Sequence, residues 1–179
     1  SPIAGTTVDS IDTDISREGV FYRMIDTAGI RRRSKTERGV EVLSVVQAMA
    51  SLPRADVALF MIDGFEGITA QDEKVARLLL DSGRPVIIVI NKWDLCRTKR
   101  EEYGEKVREA VPFLDFAPVM FMSAEKGQGI DPLFDLIPEI IQSRMTLAPT
   151  GELNRVVQAC ELRHNPKDVR IYYSLQVSK

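Results

Sequence analysis

The chain has 179 residues, with 24 Lys and Arg against 26 Asp and Glu, a formal charge of −2 with its single His neutral. Hydrophobic residues make up 44% and charged residues 28%, which excludes a disordered, collagen-like or coiled-coil chain, and the near-neutral balance argues against a surface that binds nucleic acid throughout. No apolar stretch approaches the ~18 residues of a membrane span, so no membrane contact is expected. Two distant cysteines without metal-ligand spacing, Cys96 and Cys160, read as free thiols of a cytoplasmic protein.

In chain order, the first predicted element is a half-polar strand at 8–15. It joins the next through Ser16-Arg17-Glu18-Gly19, a hairpin with Gly at the turn and an antiparallel edge position. The run VFYRMI (20–25) follows. Val42, Val45, Val46, Met49 and Leu52 then recur at helical spacing until Pro53. VALFMI (57–62), VIIVI (86–90) and VMFM (119–122) are apolar throughout, as strands covered on both faces of a parallel sheet are. Between them, Thr69 caps a helix with Val75, Leu78 and Leu79 on its apolar face, ending near Gly83. Thr98 precedes a charged helix through Val111, with Glu102 and Lys106 as an i,i+4 pair. Leu133, Leu136, Ile137, Ile140 and Ile141 mark a further helix. Alternating strand and helix predict an α/β fold with a mostly parallel sheet and helices on both faces.

The stretch SRMTLAPTG (143–151) reads as a linker. A helix carrying Leu153, Val156, Val157 and Cys160, a turn at Asn165-Pro166 and a strand at 171–177 come after it. One helix and one strand cannot bury a core alone, so they read as the opening of a second domain. The expected division is a domain over 1–148 and a linker with the start of another over 149–179.

The strongest chemical signal is Asn91-Lys92-Trp93-Asp94, directly after a buried strand, where open parallel sheets bind ligands. A carboxylate there can accept from N1–H and the exocyclic amine of guanine. Adenine offers neither, a mismatch that discriminates by roughly 10⁴-fold. With three Asn, eight Lys and thirteen Asp in the chain, the pattern is expected by chance only about 0.01 times. Asp26-Thr27-Ala28-Gly29 ends another strand, where an Asp can hold magnesium through water and a Gly amide can approach a terminal phosphate. Thr6 and Thr7 offer hydroxyls to the same ion, and Ser123-Ala124-Glu125 offers backbone amides to a guanine carbonyl. Each of these three alone is also what a polar turn carries. Their order and placement on successive strand ends raise them together.

Taken with SPIAGTTVDSIDTDI, the basic run after DTAG, GFEGITAQD (64–72) and VINKWDL, these motifs resemble the translation-factor class of GTPases. Within it they are similar to the second G domain of the bacterial ribosome-assembly GTPases of the Der (EngA) family. LNRVVQAC followed by KDVRIYYSLQVS resembles the start of that family's KH-like domain.

The resemblance implies a Ras-like P-loop NTPase G domain that binds GTP or GDP with magnesium and acts in large-subunit biogenesis. It would be monomeric, with the ribosomal subunit and its RNA as partners. Asp26, Gly29, Asn91, Lys92, Asp94, Ser123 and Ala124 would bind nucleotide. Thr7, with Thr6 as alternative, would ligate magnesium, and Asp26 would do so through water. No catalytic side chain is assigned, and Thr7 and Gly29 are the candidate switch residues. Ile30 stands where Ras-like proteins carry a water-orienting Gln, a substitution whose bearers can use potassium.

The phosphate-cradling G-x-x-x-x-G-K-[ST] pattern occurs nowhere in the chain. The expectation is an N-terminally truncated G domain, lacking its first strand, P-loop and first helix, that is inactive alone. The alternative is a non-catalytic ribosome- or RNA-binding module that keeps the fold. Arg31, Arg32, Arg33 and Lys35 form a contact to ribosomal RNA phosphates or to a neighbouring domain, or else a solvated loop. His164 reads as an exposed linker-end residue.

Overall fold

The computed structural model describes residues 12–25, 51–164 and 176, with only the backbone at 160–164. The predicted helix around Val42 to Met49 and the strand at 171–177, apart from Gln176, lie outside the described residues. The chain divides into two compact units, Ser1–Phe134 and Asp135–Lys179.

In the first unit, β1 (Asp12–Arg17) and β2 (Val20–Ile25) pair antiparallel, with Asp14 opposite Arg23 and Arg17 opposite Val20. The strand extends two residues further toward the turn than predicted, because the turn is made by two residues only. Glu18 and Gly19 both have positive φ, 50° and 79°, the backbone of a two-residue turn that matches strand twist. The hairpin is tied to the rest of the unit by ion pairs from Arg17 to Asp131 and from Arg54 to Asp12. Tyr22 also packs edge-on against Phe134, with centroids 4.9 Å apart.

The second sheet is parallel, in the order β3 (Ala58–Asp63), β4 (Val86–Asn91), β5 (Val119–Phe121). Central β4 is apolar from Val86 to Ile90, and Ile87, Ile88, Val89 and Ile90 have no exposed surface. Each such side chain contributes about 1.5–3 kcal/mol by leaving water. Helix α1 (Ala70–Asp81) starts at a capping box in which Thr69 and Asp72 exchange hydrogen bonds. Helix α2 (Arg100–Ala110) starts at Lys99, one residue after the predicted Thr98, without a side-chain cap. Its Tyr103 and Val107 are buried, and its Glu102 and Lys106 pair at 2.8 Å.

Helix α3 (Ile130–Met145) buries Leu133 and Ile137 at the expected spacing. It continues into the segment predicted as linker. The Ser143 hydroxyl donates to Glu139 O and that of Thr146 to Gln142 O, so small polar residues complete the last turn instead of breaking it. Only residues 146–149 lie between α3 and α4 (Thr150–His164). There Gln176 spans the connection, accepting from Ala148 N at 2.8 Å and donating to Thr146 O at 3.4 Å. No helix among the described residues is long and apolar enough to cross a membrane.

Candidate functional site

The carboxyl ends of β3, β4 and β5 lie side by side, with Asp63 in register with Asn91 and Ile90 with Phe121. The turns that follow these strands form one rim. Asn91 ends β4, and its Oδ1 accepts the Ala124 amide at 3.0 Å, which ties the turn after β4 to the turn after β5. Lys92 is left-handed, with φ 59° and ψ 31°, a conformation uncommon for a residue with a Cβ. Its side chain reaches back to Asp63, Nζ to Oδ2 2.6 Å. Trp93 donates its amide to Met122 O at 3.0 Å and wedges its ring between Tyr103 and Phe121, centroids 5.4 and 4.4 Å away. It anchors the turn to the core.

Asp94 lies in the short 3₁₀ turn Trp93–Leu95, with its side chain 8% exposed. The Ser123 hydroxyl, with the Lys126 ammonium 3.1 Å from Oδ2, holds its carboxyl below the ordinary carboxylate value. Asp94 is therefore an anion at neutral pH, aimed by two donors. Ser123 is buried at 1% exposure, and its backbone pairs in both directions with Gln128. Gly129 closes that turn at φ 77°, where a Cβ would fall 2.6 Å from Phe121 O.

Sequence reading passed over two residues here. Asp63, 8% exposed, accepts the amides of Phe65 and Glu66 at 3.0 and 3.2 Å as well as Lys92. Burial raises its carboxyl, but Lys92 and those amides outweigh this and hold it below the ordinary value. An acid ending an otherwise apolar strand was the available signal. Lys126 opens the glycine-rich stretch Lys126-Gly127-Gln128-Gly129 that follows β5. Cys96, a free thiol, is pushed up by burial and by the charges of Asp63 and Asp94.

The structure thus brings together Asn91, Lys92, Asp94, Ser123 and Ala124. Thr6, Thr7, Asp26, Gly29 and the basic run Arg31, Arg32, Arg33 and Lys35 lie outside the described residues. The backbone of His164 closes α4. Among the described residues no cluster of three or more His, Cys, Asp or Glu could hold a metal ion.

The family model described as the elongation factor Tu GTP binding domain matches residues 3–143. The sequence is 41% identical to GTPase Der of Chloroflexus aggregans, covering 98% of this chain and 41% of that protein. It is 40% identical to GTPase Der of Caldanaerobacter subterraneus subsp. tengcongensis, covering 99% and 42%. The chain therefore spans about two fifths of the length of the curated relatives it matches. Among solved structures, Era in complex with MgGDPNP and nucleotides 1506-1542 of 16S ribosomal RNA superposes with a TM-score of 0.62 at 30% identity. That match covers 78% of this chain and 47% of Era. A probable GTP-binding protein, engB, shares the fold with a TM-score of 0.57 at 20% identity, over 77% and 87% of the two chains. The architecture is the Ras-like G-domain fold, and the chain belongs to the elongation factor Tu GTP-binding domain family, with GTPase Der among the relatives it matches over nearly its whole length.

Proposed function

We propose that the rim at the ends of β4 and β5 binds the guanine base of GTP and GDP. The observation that carries this reading is the Asp94 carboxylate, ionised and oriented by Ser123 and Lys126 at the carboxyl edge of a parallel sheet. Its oxygens would accept from N1–H and the exocyclic amine of guanine. Asn91 and Ala124, already bonded to each other, would frame the base from the two adjoining turns.

In the intact protein the bound GTP is hydrolysed to GDP and phosphate by water attacking in line. Thr7, or Thr6 beside it, and Asp26 through water are the residues proposed to hold magnesium, whose charge would offset that of the phosphates. Gly29 would sense the γ-phosphate. Ile30 offers no polar side-chain group to orient the water, which supports potassium as an additional cation. The chain by itself, without the G-x-x-x-x-G-K-[ST] pattern, is proposed to be inactive. The resemblance to the Der family implies a role in ribosome biogenesis in the cytoplasm, and the 16S ribosomal RNA in the Era complex supports ribosomal RNA as partner, with Arg31, Arg32, Arg33 and Lys35 as the proposed contact. The residues at 149–179 are proposed to open a KH-like domain.

The test is Asp94→Asn in the intact protein, followed by competition between guanine and xanthine nucleotides. Preference is expected to move to xanthine, whose 2-carbonyl matches an amide donor. Unchanged guanine preference refutes the base assignment.

A further inference from the structure

Asp63 ends β3, outside the Asn91 to Asp94 turn, yet one of its contacts reaches into that turn. One carboxylate oxygen accepts the amides of Phe65 and Glu66, and the other accepts the Lys92 ammonium at 2.6 Å. The next residue, Gly64, donates its amide to Asn91 O at 2.8 Å. A Cβ at Gly64 would lie 2.9 Å from Asn91 O, Cys96 Sγ and Ile90 Cγ2, so the 63–67 turn is seated flush on the 91–96 turn. The two amides satisfy only one oxygen, and a buried carboxylate needs a cation on the other. Here the lysine comes from a residue in a left-handed conformation at the centre of the nucleotide motif.

We propose that Asp63 is a positioning residue for nucleotide binding, acting through Lys92. Its carboxylate fixes a long, rotamer-rich side chain before the ligand arrives, so that binding does not have to order it. It also ties the Lys92 backbone to the neighbouring strand, keeping Asn91 and Asp94 at their spacing. This rests on the assignment of the rim to guanine nucleotide.

Asp63→Asn retains Oδ1 as acceptor for the two amides and replaces the oxygen that faces Lys92 with an uncharged NH2, which cannot accept from the ammonium. In the intact protein, with a fluorescent N-methylanthraniloyl-GDP as probe, Asp63→Asn is expected to weaken affinity by on the order of tenfold, through faster dissociation. Lys92→Met is expected to weaken it at least as much, and the double variant to match Lys92→Met alone within about twofold. Losses that multiply in the double variant overturn the proposal. So does an Asp63→Asn protein that melts lower but binds with unchanged affinity at full stoichiometry, since that is a turn-holding role only. Should Asp63→Asn fail to fold, Asp63→Ser, which keeps an acceptor for the turn, serves in the same cycle. An Asp94→Asn variant that keeps guanine preference refutes the nucleotide reading itself. A preference that switches while the Asp63 and Lys92 losses multiply refutes only the role of Asp63.

Discussion

The two sheets of the first unit are held by different physics. In the β1–β2 hairpin no described residue is buried, Phe21 is 84% exposed, and cohesion comes from a two-residue turn and charge pairs such as Arg23 with Asp14 at 2.7 Å. Such exposed pairs are weak and screened by salt. In β3 to β5 the central strand is sealed from water, and the polar groups that remain buried, Asp63 and Ser123, sit at the carboxyl ends of the strands with partners in place. Fixed geometry is thus concentrated at the rim proposed to bind the base, while the hairpin is built from replaceable contacts.

The widest separation between the two regions is expected from Asp94→Asn, which should lower guanine affinity by roughly 10⁴-fold in nucleotide competition. No hairpin substitution should approach that. Ile88→Ala, in the middle of β4, should cost about 2–5 kcal/mol in denaturant unfolding, because a side chain with no exposure leaves a cavity that strands on both sides prevent from closing. Gly64→Ala should cost about 1–3 kcal/mol, since its Cβ meets a backbone carbonyl that cannot rotate away.

Acid should weaken the rim, although Asp14 of the hairpin is lowered too, by its hydrogen bond to Arg23. Asp63 and Asp94 have lowered carboxyls in the folded rim, so the unfolded chain takes up protons first as pH falls. Their stabilisation is fully present above about pH 4, the ordinary carboxylate value, and is lost below it as pH falls through the lowered folded-state values. Unfolding measured across that range should show the decline, and Asp63→Asn combined with Asp94→Asn should flatten it. Phe21→Ala, at the other extreme, should shift stability by no more than about 0.5 kcal/mol.

The contrast also governs what could be read from sequence. Apolar runs without alternation mark β3 and β4 to within a residue, and Gly19 within Ser16-Arg17-Glu18-Gly19 marks the hairpin, because burial and positive φ leave marks on residue choice; Glu18, also at positive φ, carries no such mark. Asn91 to Asp94 was legible because its letters and its position after a buried strand agreed. Asp63 was not, since an acid ending a strand looks like the first residue of any turn until the lysine that meets it is located 29 positions on. The linker expected from Ser143 begins only at Thr146, because hydroxyls are ambiguous. They compete with a helix in a turn but extended this one by bonding to its own carbonyls.

Trp93 is the only tryptophan of the chain, set between Lys92 and Asp94 with its indole lodged against Tyr103 and Phe121. Its emission under selective ultraviolet excitation therefore originates at the rim and nowhere else in the chain. Quenching or a spectral shift on adding nucleotide would register a local event without any label, and exposure of the indole would signal departure of the turn from β5.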